Sequence, residues 1–140
     1  MKTFVTPNLL KFSLVSFLFA VAFRLGLSWS IENKMIVPLV LSASLYGVAM
    51  WFSGMFFGKK ENDYLPIFDI GFRFHGATFI IHNIVSLIWF WLGFNSHFEK
   101  IEVVYYTAVI WLILFIPHLI YFLVTRKSTI NNLSKKDLFE

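Results

Sequence analysis

Four uninterrupted apolar stretches, at residues 9–31, 35–57, 72–94 and 103–125, constrain this chain more than any other feature. Each runs to about 23 residues, and roughly 20 helical residues cross the ~30 Å hydrocarbon core of a bilayer. Inside lipid a backbone must satisfy its own polar groups, so only helices or closed barrels cross. The stretches lack the period-two alternation of barrel strands. The expected fold is an all-α integral membrane protein: an antiparallel four-transmembrane-helix bundle over residues 1–125, followed by a short cytoplasmic tail at 126–140.

Composition agrees. Of 140 residues, 58% are hydrophobic and 14% charged, against about a quarter charged in soluble domains. A chain this short cannot enclose so much apolar surface in water, whereas lipid solvates the surplus. The first stretch has a rival reading as a signal peptide, since Lys2 and Lys11 precede an apolar run ending Ala20-Val21-Ala22. The apolar character resumes after Arg24 with Leu25, Leu27 and Trp29, which favours a retained span.

Basic residues set the expected topology. Lys2, Lys11, Lys59, Lys60, Arg73, Arg126, Lys127, Lys135 and Lys136 flank one set of helix ends, and only Lys34 and Lys100 flank the other. The positive-inside rule then places both termini and the 58–71 connection in the cytoplasm, with a plasma (inner) membrane as the location. The net charge of +4 reads as a topology signal rather than a nucleic-acid surface. Within the 58–71 connection, Tyr64, Leu65, Ile67, Phe68 and Ile70 are expected to lie in the headgroup region.

Each span carries a small or polar stripe at helical spacing. They are Ser13, Ser16, Ala20 and Arg24; Ala43, Gly47, Met50, Gly54 and Gly58; His75, His82, Ser86 and Gly93; and Thr107, Trp111, Leu114, His118, Tyr121 and Thr125. In the third span, His75, His82, Ser86 and Gly93 fall within about 40° at 100° per residue. Small residues let membrane helices approach and polar ones bond across the contact. Gly47, Gly54 and Gly58, with Pro117 in the fourth span, are therefore expected to shape helix packing, either within the bundle or between protomers.

Candidate pore- or ligand-lining residues are Arg24, His75, His82, Asn83, Ser86, His118 and Tyr121. An arginine inside a span costs a few kcal/mol unless it snorkels or meets a partner. Arg24 has two readings: it snorkels to the outer headgroups, or it faces the interior and meets an anion, a carbonyl or a histidine, which its place on the stripe from Ser13 to Ala20 favours. Arg73 is expected to snorkel, with Asp69 as a plausible partner. The histidines have three readings. They bond across the bundle, or they line a path or ligand site, or His82 and His118 ligate haem b. Three histidines without a carboxylate or cysteine make a poor zinc site.

Apart from their edges, the spans hold no Asp or Glu. That disfavours cation-coupled transport, which relies on intramembrane carboxylates. The chain has no cysteine, and it shows no nucleotide loop, no nucleophile motif and no paired carboxylates. An enzyme is not expected, nor a nucleic-acid partner. The expected function is an oligomeric channel-like or membrane-perturbing effector with an anion-tolerant or nonselective path. The alternatives are a noncatalytic scaffold subunit that receives a protein partner at the 58–71 connection or the tail, and a redox subunit that binds haem b through His82 and His118.

Overall fold

The computed structural model describes residues 5–64 and 70–132, with the side chains of 62–64, 70 and 125–132 left aside. Four α-helices make up the described chain: α1 (Pro7–Glu32), α2 (Ile36–Tyr64), α3 (Ile70–Trp91) and α4 (Ile101–Asn132). All four are long and apolar enough to cross a membrane.

Local chemistry sets the helix ends. Thr6 caps α1, its Oγ accepting from the Leu9 N–H at 3.2 Å, and Pro7 occupies the first turn, where its missing N–H costs nothing. At the other end Lys34 takes a left-handed φ of 54°. Its N–H bonds the Ile31 carbonyl and the Met35 N–H bonds that of Ser30, closing a Schellman turn. Gly93, at φ 73°, closes α3 in the same way, with Gly93 N–H on Phe90 and Phe94 N–H on Trp89. The third helix thus stops at Trp91, short of the expected 94. The second runs on to Tyr64, so residues 58–64 are helix rather than loop. The fourth likewise continues past the expected 125 to Asn132. The interfacial reading of Leu65, Ile67 and Phe68 lies outside the described residues, as does Asp69.

Helix α1 is the centre of the assembly. Leu9, Phe12, Ser16, Ala20, Arg24 and Ser28 are all buried and recur every three or four residues, forming one face. It packs against both α2 and α3, whereas α4, among the described residues, packs against α3. Three side-chain layers line the contacts. Leu9, Phe12 and Phe74 form an apolar cluster with Met50, Phe57 and Ala77 at the N-terminal end of α1. In the middle, Phe23, Tyr46, His82 and Trp111 bring one ring from each helix together. Toward the C-terminal end of α1 the layer is polar.

The close approach between α1 and α2 occurs at Gly26, where a Cβ would stand 3.3 Å from the Ser42 Cβ. The face of α2 turned to its neighbours carries Ser42, Tyr46, Met50, Ser53 and Phe57, all half-buried. A Cβ at Gly47 or Gly54 would meet nothing within 4 Å. Among the described residues, no neighbour packs closely against those two glycines.

Candidate functional site

The polar layer starts from the cost of Arg24. Its Cα lies about 12 Å along the axis from the end of α1, at 1.5 Å per residue, far enough in for the side chain to need a counter-charge. The connection between α3 and α4 supplies one. Glu99 Oε2 stands 2.6 Å from Arg24 Nη2, and both side chains are only 5% exposed. The second oxygen of Glu99 accepts the Ser96 N–H at 3.2 Å. Phe90 lies against the guanidinium, its ring centroid 5.4 Å from Cζ. The Nε of Arg24 is buried without an acceptor among the described residues.

The same connection is tied to the end of α1 a second time. Glu32 Oε2 accepts the Ser96 hydroxyl at 2.6 Å and the His97 N–H at 3.0 Å, and Glu32 Oε1 lies 3.3 Å from His97 Nδ1. One turn deeper, the Trp89 indole donates to Ser28 Oγ at 2.9 Å. Buried polar groups without partners are costly, and these bonds leave few of them. Residues 96–99 thus form a polar strap that seats a carboxylate on the arginine and closes this end of α1 and α3.

A second buried pair joins α2 to α3. Arg73 Nη1 and Glu61 Oε1 are 3.5 Å apart, and the glutamate is fully buried. Arg73 therefore turns inward, against the snorkelling expected of it, because α2 continues as helix far enough to bring Glu61 alongside.

The histidines divide into two groups. His82 Nδ1 is 3.2 Å from the Tyr46 hydroxyl, and its ring lies against Phe23 and Trp111 at centroid distances of 5.9 and 5.2 Å. His75 and His118 stack on each other, centroids 4.7 Å apart and planes 21° from parallel. Both are exposed. Phe72 and Phe79 flank them against Phe115, Phe122 and Trp111, so the α3–α4 contact is a row of rings. His118 Nδ1 lies 3.4 Å from the Leu114 carbonyl one turn back in α4, next to Pro117, which has no N–H to give the Ile113 carbonyl. The two histidines of the haem reading have different ring neighbours: Phe23, Tyr46 and Trp111 for His82, and His75 for His118.

The remaining expected lining residues are dispersed. Asn83 donates to Phe79 O of its own helix at 2.8 Å. Ser86 is buried, while Tyr121 and Pro117 are exposed and Gly58 is half-buried. No group of three or more metal-ligating side chains occurs among the described residues.

Sequence reasoning passed over Glu99, Glu61, Tyr46, Ser28 and Trp89. A signal existed for Glu99. It lies in a short connection at the end of the bundle nearest an intramembrane arginine, and a carboxylate there is the cheapest counter-charge available. Tyr46 sits beside the glycine stripe that was read as the packing face, and only the rotation of α2 distinguishes the two. Comparisons with protein-family models, with curated proteins and with solved structures return no match for this chain.

Proposed function

We propose that this chain is a four-span protein of a bacterial inner membrane, both termini cytoplasmic, and that it works as one protomer of an oligomeric channel-like or membrane-perturbing effector. The pairing of side chains supports the antiparallel bundle on which this rests. Gly26 meets Ser42, Phe23 meets Tyr46 and Phe12 meets Phe57, so residue numbers rise on α1 as they fall on α2. Along α3 and α4 the same reversal runs from Phe72–Phe122 through His75–His118 to Phe79–Trp111.

The observation that carries the functional reading is the exposed His75–His118 stack. Two imidazoles on the outside of a single bundle would face hydrocarbon, where polar groups are expensive and by default turn to protein or water. A neighbouring protomer around a shared path supplies both. Arg24 is held by Glu99, so it offers no free positive charge to such a path. Nonselective passage therefore fits better than anion preference.

The test is reconstitution. Protein in mild detergent and in nanodiscs should run as a defined oligomer and pass current in planar bilayers. The variant carrying His75→Leu and His118→Leu should assemble but conduct at a different level. A monomer in nanodiscs that carries no current overturns the reading.

The scaffold reading keeps one observation of its own, the bare Gly47 and Gly54 face of α2, which a partner helix can approach closely. Stoichiometric co-purification of another membrane protein, lost with Gly54→Leu, would favour it. No observation supports haem b at His82 and His118.

A further inference from the structure

The two ends of the bundle differ in charge. Arg24, Lys34 and Lys100 stand with Glu32, Glu99 and Glu102 toward the end where α1 and α3 finish, and the three positive charges there match the three negative ones. The whole net charge of +4 therefore falls at the opposite end, where the other nine basic residues accompany five acidic ones. Part of that charge is held internally, since Arg73 is buried against Glu61. Lys11 of α1 and Lys59 and Lys60 of α2 are exposed instead, and none of the three forms an ion pair among the described residues.

Packing brings these lysines to one level. Phe12, next to Lys11, meets Phe57 at a ring-centroid distance of 6.1 Å, and Lys59 and Lys60 follow Phe57 within one turn of α2. Lys11 stands about 6 Å along α1 from its first residue, at 1.5 Å per residue. Lys60 Nζ turns back over the Phe56 ring, 4.2 Å from its centroid. Phe56 is itself exposed, as are Leu10 and Leu14 of α1. The lysines thus stand at the border of an apolar surface, where headgroups meet acyl chains.

We propose that this end of the bundle recruits anionic phospholipid from the surrounding leaflet, with Lys11, Lys59 and Lys60 meeting the phosphate headgroup and the Phe56 and Leu10 surface meeting the acyl chains. Charge selects the lipid class. A zwitterionic headgroup brings a positive charge of its own beside the lysines, whereas a headgroup of net negative charge does not, and basic residues next to a span each strengthen association with it. Depth selects a lipid over a soluble acidic partner, because Lys60 lies back along α2 while the helix continues past it to Tyr64. The opposite end is neutral overall and rimmed by exposed Trp29, Trp91 and Tyr106, so it offers interfacial rings without a preference for charge. The inference rests on the four helices crossing a bilayer and on nothing about assembly or conductance.

The experiment is electron paramagnetic resonance of spin-labelled lipids around the full-length protein in phosphatidylcholine vesicles. The motionally restricted part of the spectrum gives the association of labelled phosphatidylglycerol relative to labelled phosphatidylcholine. A preference of about threefold or more for phosphatidylglycerol is expected at low salt, shrinking toward one at molar salt as the charges are screened. Combining Lys11→Gln, Lys59→Gln and Lys60→Gln, all at exposed positions, should abolish most of it. Lys34→Gln with Lys100→Gln, at the other end, should leave it unchanged. Equal association of the two lipids with the wild-type protein overturns the inference. So does a preference that survives the triple change, or one that is lost with Lys34 and Lys100. If the protein restricts neither label, the helices do not span the bilayer, and the inference falls together with that reading.

Discussion

Glu99→Gln removes a charge and almost no volume, and it is the substitution that most directly tests the polar layer. In the wild-type fold Glu99 lies 2.6 Å from Arg24, and both side chains are 5% exposed. Neutralising the carboxylate leaves a guanidinium buried without a counter-ion, its Nε already lacking an acceptor among the described residues. Breaking a buried pair from one side costs about 3–5 kcal/mol. At about 1.4 kcal/mol per factor of ten, the folded-to-unfolded ratio drops a hundredfold or more. Arg24→Met should cost a similar amount, because it strands the glutamate instead. The two effects should not add. Arg24→Met combined with Glu99→Leu replaces the pair with apolar volume, a change that is often neutral or stabilising. Reversible unfolding in mixed micelles, titrated with SDS and followed by tryptophan fluorescence, gives all four corners of the cycle. The reasoning is refuted if Glu99→Gln unfolds within about 0.5 kcal/mol of wild type, as an ordinary surface substitution would. Arg24 would then be reaching water without its partner. Additive single effects would refute it equally, since they would mean that the two charges do not share a bond.

Three further outcomes follow from other layers. Glu61→Gln should destabilise in the same assay by about 3 kcal/mol, since Glu61 is fully buried against Arg73; a neutral result would place Arg73 outside the helix contact. Ser28→Ala should cost about 1–3 kcal/mol by leaving the Trp89 indole N–H buried without an acceptor, and Trp89 emission should shift with it. Gly47→Ala and Gly54→Ala should leave the monomer fold intact or stabilise it by up to about 1 kcal/mol each, because a Cβ there meets nothing and alanine is the better helix former. If either instead weakens oligomerisation on size-exclusion chromatography, that face of α2 is the protomer contact.

The candidate site was only partly legible before folding. The stripe of Ser16, Ala20 and Arg24 favoured an inward arginine, because burial on a helix follows a 3.6-residue period that local sequence carries, but snorkelling stayed open until the fold buried it. His75, His82 and His118 were visible as costly side chains, but their pairings were not. His82 meets Tyr46 from 36 residues away and His75 meets His118 across the ring row of α3 and α4, and no local pattern encodes which rings face each other. The glycine stripe left its contact open for a related reason. Small residues permit close approach without requiring it, and the approach was made at Gly26 and Ser42 instead.

By itself the sequence determined the number of helices, their apolar character and the inward turn of α1. Those follow from length, hydropathy and periodicity, which act over one or a few turns. Tertiary structure alone decided the rest. It carried Glu99 from the α3–α4 connection onto Arg24, brought Glu61 beside Arg73, rotated α2 so that Tyr46 rather than Gly47 faces α3, and packed α4 on α3. The physical reason is the same in each case. A buried charge or hydrogen-bonding group must find a partner wherever the packed helices can present one, and that partner's place in the chain is set by how the helices dock.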